Sequence, residues 1–448
     1  MSRFILLGLK ASGLKSLEHN IELQFYNHDL KDLTYDKSLV KAIYGTNGEG
    51  KTAIAHTLEL YRNSVINGEY LAAQSFNGSL RGLINQHLKK VNVDLYFCIF
   101  FDKNNFDVFH HIIEFKEKDD RVFVDHERIS YCKGKTWGNV DNEIMLFDTK
   151  DGVIVDHFKT PDKKIIEDLE NQTRNLLTGS SIVYPIMINT SFTHKKGFSS
   201  SEKEYAFAQL AVMSIVLFAL SLNVFIDKDD VVKVSTERLE NRSRTFLRAI
   251  NPMQISDNDD IINSNEYEEY VNEITKIKKF LKVFKPDLQD IEIRPSDARG
   301  GKLICKKTLI YKNGDRVDLE YESTGIKKLV RIFSALSTVD SGGVVFVDEF
   351  DANIHDVYLC KLVEYFLECT NGQFIFTTHN LGPMEVLDKK GLKHSIDFIN
   401  NQKVTPWRRN GNYSVVNVYR NGMVPNSPFN INSVDFVKVF GGGKKDER

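Results

Sequence analysis

Residues 45–52 read GTNGEGKT and match the pattern G-x-x-x-x-G-K-[ST]. In that pattern the glycines let consecutive backbone N–H groups close around an anion, the lysine reaches the β- and γ-phosphates, and the final hydroxyl ligates Mg²⁺. The pattern constrains the fold because it works only between a strand and a helix, where the phosphates meet the partly positive N-terminal end of that helix. Both flanks comply. Residues 38–44 (SLVKAIY) form a mostly apolar, β-prone run, and residues 53–60 (AIAHTLEL) carry apolar side chains at helical spacing. The stretch predicts an α/β fold with a nucleotide phosphate cradle at Gly45, Thr46, Asn47, Gly48, Glu49, Gly50, Lys51, Thr52 and Ala53.

A cradle needs a metal ligand and a way to aim water. Residues 343–351 read GVVFVDEFD, a β-branched run ending in acids. A strand apolar on both faces belongs in the middle of a parallel sheet, and its C-terminal end lies beside the phosphate loop. Asp348 is then placed to hold Mg²⁺ through water, and Glu349 to polarise the attacking water; the blander use of such acids is to cap the next helix. Residues 373–379 (QFIFTTH) form a second apolar strand that ends in His379, an imidazole able to hydrogen-bond the γ-phosphate. Ser323 and Gly325 precede a helical pattern over 326–336 and make a further N-terminal anion site. The blander reading is a simple Ser N-cap; since their own phosphate loop already has a complete cradle, the other is that they bind ATP held by a second subunit.

The remainder sets bounds. At 448 residues the chain is long for one core, and 27% charged residues with few prolines indicate a folded protein. The net charge of −2 gives no overall electrostatic footprint for nucleic acid. Cys98, Cys132, Cys305, Cys360 and Cys369 are scattered, as reduced thiols of a cytoplasmic protein would be, and make no zinc site. The apolar stretch 206–226 is long enough for a bilayer, but Gln209, Asn223 and the acids after it favour a helix buried in protein. Strands are expected at 4–9, 21–26 and 39–44, feeding the phosphate loop, then at 91–101, 106–115, 121–124, 144–147 and 153–155 as an antiparallel sheet beside it. Helices are expected at 162–177, 202–223, 236–250 and 265–284, and strands again at 302–311 and 316–321 around the turn Asn313-Gly314. The adjacent His110 and His111 would point to opposite faces of a strand and are read as surface or packing residues. Lys276, Lys278, Lys279, Lys282 and Lys285 form a basic helix end, a solvated face more often than a nucleic-acid contact. Four regions result: 1–160 with the phosphate loop and antiparallel sheet, a helical insertion over 161–290, a second ATPase half over 291–440, and a frayed tail at 441–448.

The motifs GTNGEGKT, ESTGIKKL, FVDEFDANIH and FTTHN, in this order, resemble those of ABC-type ATPases of the RecF, SMC and OLD group, most of all the stand-alone AAA ATPases of bacterial phage-defence and abortive-infection systems. The resemblance implies an ABC-type P-loop ATPase head with a mixed central sheet, an antiparallel β subdomain and a helical subdomain. It also implies a Walker A set from Gly45 to Thr52, Asp348 on Mg²⁺, Glu349 as catalytic glutamate, residues 351–355 as the D-loop and His379 as the switch histidine. Ser323, Gly325 and Lys327 would act on ATP of a partner copy in an ATP-dependent homodimer or higher homo-oligomer. A separate nuclease or toxin effector and a phage-protein trigger follow from the same resemblance, while the reading of 206–226 as a buried helix implies no membrane contact. A RecF-like DNA-repair ATPase is the alternative. The signature departs from LSGGQ at Thr324 and Ile326, Asp356 stands where relatives carry proline, and no glutamine is assigned to the Q-loop, Gln86 lying too early.

Overall fold

The computed structural model describes residues 3–422 other than 27–31, 34, 36–38, 47, 77–79, 104, 135–142, 158–162, 164–165, 168–169, 172–179, 190–199, 227–252, 369–370 and 408–413. Asn47, Cys369, the expected helix at 236–250, most of that at 162–177 and the tail at 441–448 lie outside the described residues.

The chain begins with β1 (Arg3–Ser12), β2 (Ile21–Gln24) and β3 (Leu39–Gly45), then α1 (Lys51–Ile66) and α2 (Tyr70–Phe76). Next come β4 (Lys90–Phe100), β5 (Phe106–Lys118), β6 (Arg121–Lys133), β7 (Ile144–Lys150) and β8 (Val153–His157). These pair antiparallel in the order β2-β1-β4-β5-β6-β7-β8. Only β3 feeds the phosphate loop; β1 and β2, expected beside it, belong to the antiparallel sheet. For β2 the pattern gives the reason: Ile21 and Leu23 are buried while Glu22 and Gln24 are exposed, the alternation of a sheet with one wet face, whereas β3 is buried on both; β1 is itself almost wholly buried, lying between β2 and β4 and tied to the central sheet.

The middle of the chain supplies α3 (Val183–Asn189), α4 (Ser200–Ser221), β9 (Leu222–Phe225), β10 (Asp260–Asn263), α5 (Tyr267–Phe284), β11 (Leu288–Ala298), β12 (Lys302–Tyr311) and β13 (Arg316–Asp318). The apolar helix α4 is a packing element: Phe218 stacks on Phe97 of β4 with ring centroids 3.8 Å apart, and Val212, Ile215 and Val216 are fully buried. No helix of the described residues is long and apolar enough to cross a membrane. The expectation that 161–290 is a helical insertion needs correction. The apolar run leaving α4 continues as β9, which pairs parallel with the strand carrying Asp348, and β10 and β11 flank β12 in a second antiparallel sheet.

The last part contains α6 (Thr324–Asp340), β14 (Val344–Val347), α7 (Asp356–Glu368), β15 (Gln373–Thr377), α8 (Leu381–Lys389), β16 (Ile396–Asn400), β17 (Lys403–Pro406) and α9 (Val415–Arg420). The central sheet runs β17-β16-β3-β15-β14-β9, parallel except for the edge pair β16-β17. The architecture is α/β, with a mixed central sheet and a separate antiparallel sheet. Both faces of the central sheet are covered, and the strands divide their side chains strictly between them. Val344 and Phe346 join the core that α1, α4 and the antiparallel sheet fill, while Val345 and Val347 join the core under α6, α7 and α8.

The antiparallel sheet is fastened to the central one. At a bulge between Leu6 and Gly8 of β1, the Leu6 N–H donates to Gln373 Oε1 at 2.7 Å and Gln373 Nε2 donates to the Leu6 carbonyl at 2.9 Å. The buried Gln373 amide thus stands in for a peptide group of a neighbouring strand. His111 makes a second tie. Its Nδ1 lies 3.0 Å from the hydroxyl of Tyr61 on α1 and its Nε2 lies 2.9 Å from Glu127 Oε1 on β6, all buried. Its neighbour His110 faces the other way, toward Asp94 and Glu143, so both histidines are packing residues.

A buried ion pair lies within the central sheet. Lys41 Nζ of β3 is 2.9 Å from Asp397 Oδ2 of β16, with side chains 3% and 2% exposed. Burial holds the Asp397 carboxyl above the ordinary carboxylate range, opposed by Lys41. Lys41→Met removes that opposition and is expected to cost about 3–5 kcal/mol at neutral pH. The unfolded carboxyl ionises near pH ~4 whereas the folded one then keeps its proton, so the unfolded state binds fewer protons and stability falls as pH rises. Denaturant unfolding of this variant should give a higher midpoint at pH 5 than at pH 8, beyond any trend in the parent.

Candidate functional site

The loop between β3 and α1 is built by backbone conformation. Gly48 and Gly50 adopt φ of 87° and 103°, in the left-handed region that favours glycine, and a Cβ on Gly50 would also come within 2.7 Å of Leu17 Cδ2. The Ser16 hydroxyl donates to the Gly48 carbonyl at 3.4 Å, and Thr46 Oγ1 donates to Glu49 Oε1 at 3.3 Å. The other Glu49 oxygen accepts the backbone N–H of Asn401, so the turn after β16 braces the loop. Lys51 curls back over it, its Nζ donating to the carbonyls of Gly45 at 2.6 Å and Thr46 at 2.9 Å. Thr52 is half-buried in the first turn of α1, and Ala53 is buried behind it.

The acids arrive from the neighbouring strands. β14 ends at Val347, and the buried Asp348 accepts a hydrogen bond from Thr377 Oγ1 at 2.6 Å. The same hydroxyl accepts the Glu349 N–H at 2.8 Å. Glu349 has φ 48° and an exposed side chain. Thr377 therefore orients both acids, a role the sequence reading missed; a hydroxyl at a strand end that is otherwise apolar was the available signal. His379 follows β15, and its N–H donates to Asp351 Oδ2 at 3.3 Å. The chain just beyond is pinned as well: Tyr44 of β3 donates to the Asn380 carbonyl at 3.1 Å, and Asn380 Oδ1 caps α8 by accepting the Gly382 N–H at 2.8 Å.

Strands β3, β15 and β14 run parallel and adjacent, so the loop after β3, the acids after β14 and the histidine after β15 meet at one end of the sheet. Burial lowers the Lys51 pKa, while Asp348, Glu349, Asp351 and Glu49 oppose the shift. Burial and the Lys51 charge lower the His379 pKa, against Asp351, Glu349 and Asp348. Its imidazole is accordingly neutral at physiological pH and can both donate and accept. The arrangement, a lysine over a glycine loop facing three carboxylates and a neutral histidine, suits a polyphosphate accompanied by a divalent cation. Thr52 and Asp348 offer the hard oxygen donors that Mg²⁺ takes, and Mg²⁺ commonly completes its shell with phosphate oxygens and water. Among the described residues no three His, Cys, Asp or Glu side chains gather to hold a metal by themselves.

The start of α6 is organised separately. Ser323 is exposed, and its hydroxyl caps the helix by accepting the Ile326 N–H at 3.4 Å. Glu322 accepts the Ser323 N–H at 3.1 Å. Gly325 lies against the turn between β14 and α7, where an added Cβ would come within 2.9 Å of the Asn353 carbonyl. Lys327 turns back to donate to the Glu320 carbonyl at 3.2 Å. The hydrogen bonds of Ser323 and Lys327 thus stay within this turn and do not reach the loop of their own chain. Asp356, at the start of α7, accepts a hydrogen bond from Asn380 Nδ2. Gln86 Nε2 donates to the nearby Ile84 carbonyl at 3.3 Å. In the basic cluster on α5, Lys276 pairs with Glu273, Lys278 with Asp290 and Lys285 with Asp287, so much of its positive charge is answered locally.

A family model described as "AAA domain, putative AbiEii toxin, Type IV TA system" matches residues 218–385, a span that contains Ser323, Asp348, Glu349 and His379 and begins after the phosphate loop. No curated protein matches the chain. Among solved structures it is similar to the Smc head domain with an extended coiled coil bound to the C-terminal domain of ScpA from Pyrococcus furiosus, at 15% identity and TM-score 0.39, covering 90% of this chain and 96% of that one. The SMC head domain from Thermotoga maritima gives 13% identity and TM-score 0.30, with 90% and 99% covered. The Smc head domain with a coiled coil and joint from Pyrococcus yayanosii gives 12% and 0.38, with 91% and 98% covered.

Proposed function

We propose that this chain binds Mg·ATP in the loop from Gly45 to Thr52 and hydrolyses it, and that two copies close head to tail so that Ser323 and Gly325 of each complete the site of the other. The observation that carries this reading is the convergence of Lys51, Asp348, Glu349, Asp351 and His379 on one loop, while the Ser323 helix end is exposed and bonded only within its own turn. Mg²⁺ held by Thr52 and Asp348 would neutralise phosphate charge. Glu349 orients water toward the γ-phosphorus, Lys51 balances charge developing on the phosphoryl oxygens, and neutral His379 hydrogen-bonds the γ-phosphate from a backbone fixed by Asp351. The Ser323 hydroxyl and the N-terminus of α6 would meet the same phosphate from the partner copy, which makes closure depend on ATP.

In this reading the chain is a regulatory ATPase of a cytoplasmic anti-phage defence system that controls a separate nuclease or toxin effector and responds to a phage protein. The matched family description, with its toxin of a type IV system, supports that role. Sedimentation velocity tests the composite site. With Mg·ATP the chain should sediment as a dimer or larger species and with ADP as a smaller one. Ser323→Arg, which crowds the trans phosphate, should abolish the ATP-dependent species while leaving ATP affinity within about threefold (under ~1 kcal/mol). An unchanged mass with ATP, or an ATP-dependent dimer in Ser323→Arg, contradicts the composite site.

A further inference from the structure

Lys328 is the second lysine of the pair in ESTGIKKL, and the reaction as described above does not use it. Unlike Lys327 it is fully buried, at 0% exposure in the interior of the domain. Burying an ammonium is costly unless a specific acceptor repays it, and a packing role alone would be better filled by an apolar side chain of the same length. The acceptor is specific. Lys328 Nζ donates to the carbonyl oxygen of Glu349 at 2.6 Å. Glu349 is a non-glycine residue at φ 48°, a conformation that persists only where the surroundings over-determine it. Three anchors do so here: Thr377 Oγ1 on its N–H at 2.8 Å, and on its carbonyl both Lys328, at 2.6 Å, and the Ala352 N–H, at 3.0 Å. Between them they set the direction in which the Glu349 carboxylate leaves the backbone.

The location of Lys328 gives that anchor a second meaning. It stands on α6, whose N-cap is Ser323 and whose first turn packs Gly325 against the carbonyl of Asn353. A helix moves as a rigid body, so a displacement of its first turn is carried to the Lys328 ammonium and from there to Glu349. We infer that Lys328 is a positioning residue that links the two composite sites of a dimer: ATP on the partner's loop seats Ser323, and Lys328 passes that seating to Glu349, which serves the ATP of its own chain. The inference rests on the proposed role of Glu349 as the water-orienting group.

The test is steady-state ATP hydrolysis together with equilibrium ATP binding, on the full chain. Lys328→Met should lower kcat at least tenfold while KM and ATP affinity stay within threefold, a split that a merely destabilised fold would not produce. Lys328→Gln, which keeps a donor on a shorter stem, should give an intermediate kcat and carries the test if the Met variant does not fold. The double variant K328M/E349Q should turn over no more slowly than E349Q alone, because both changes act through one carboxylate. A parental kcat in a folded K328M or K328Q, or a further tenfold drop in the double variant, overturns the inference. If E349Q itself hydrolyses ATP at the parental rate, the proposed function fails instead, so the two failures are told apart.

Discussion

Lys51→Ala is expected to weaken Mg·ATP binding at least 100-fold, about 2.7 kcal/mol, with hydrolysis lost in parallel. The side chain serves two purposes at once. Its ammonium bonds the Gly45 and Thr46 carbonyls and so holds the loop closed around the place where phosphates would sit. Its positive charge is also favoured by Asp348, Glu349, Asp351 and Glu49, against the burial that lowers its pKa. Without it a nucleotide triphosphate meets a ring of carboxylates that its Mg²⁺ alone must balance, and like charges in a partly buried site repel strongly. Isothermal titration with Mg·ATP decides the matter. Binding within threefold of the parent would mean that this loop is not the phosphate site, and a normal melting temperature would show that the loss is not one of folding.

Glu349→Gln should behave in the opposite way, binding ATP as well as the parent while kcat falls about 10²–10³-fold, the range typical for loss of one group that polarises or stabilises the transition state. Glutamine keeps the shape, and the Thr377 and Lys328 anchors act on the backbone, so the main-chain geometry at φ 48° is expected to survive. ATP that is bound but not hydrolysed should hold two copies together, and the dimer should persist through gel filtration when loaded with Mg·ATP. Parental hydrolysis would remove Glu349 from its role. A dead enzyme without an ATP-held dimer would keep the chemistry and discard the composite site.

The parts of this site visible in the sequence are those whose chemistry is local. A glycine loop between strand and helix, two acids closing an apolar run and a histidine ending another can each be read within ten residues, and the central sheet brings all three to one end. What stayed hidden depends on partners distant in the chain. Strand β9 is hidden because the apolar run of α4 passes into it with no turn signal, only the single polar residues Ser221 and Asn223 standing at the junction. Strand β11, reading LQDIEIRPSDA, contains a proline and leaves most residues exposed, so its pattern is weak and its strandedness comes from pairing with β12. The lysine pair is a finer case. Lys327 and Lys328 are chemically identical, yet Lys328 lies four positions before Ile332 and seven before Ala335, both buried, which places it on the inner face of α6. That periodicity was open to a reader of the sequence; the carbonyl waiting for the ammonium was not. The antiparallel sheet was anticipated in outline, but the attachment of β1 to the central sheet was not, since no local pattern in β1 announces a glutamine amide more than three hundred residues away.

That glutamine limits how the protein can be cut. Residues 3–12 contribute nothing to the phosphate loop or its acids, and a fragment trimmed to the motifs would discard them. Yet Gln373 opens the strand that leads to His379, and its amide takes both its donor and its acceptor from Leu6. Excising the first strand would strand a polar group at the root of β15 and unseal the core above it. The smallest piece of this chain able to fold around the Gly45–Thr52 loop therefore begins far upstream of that loop.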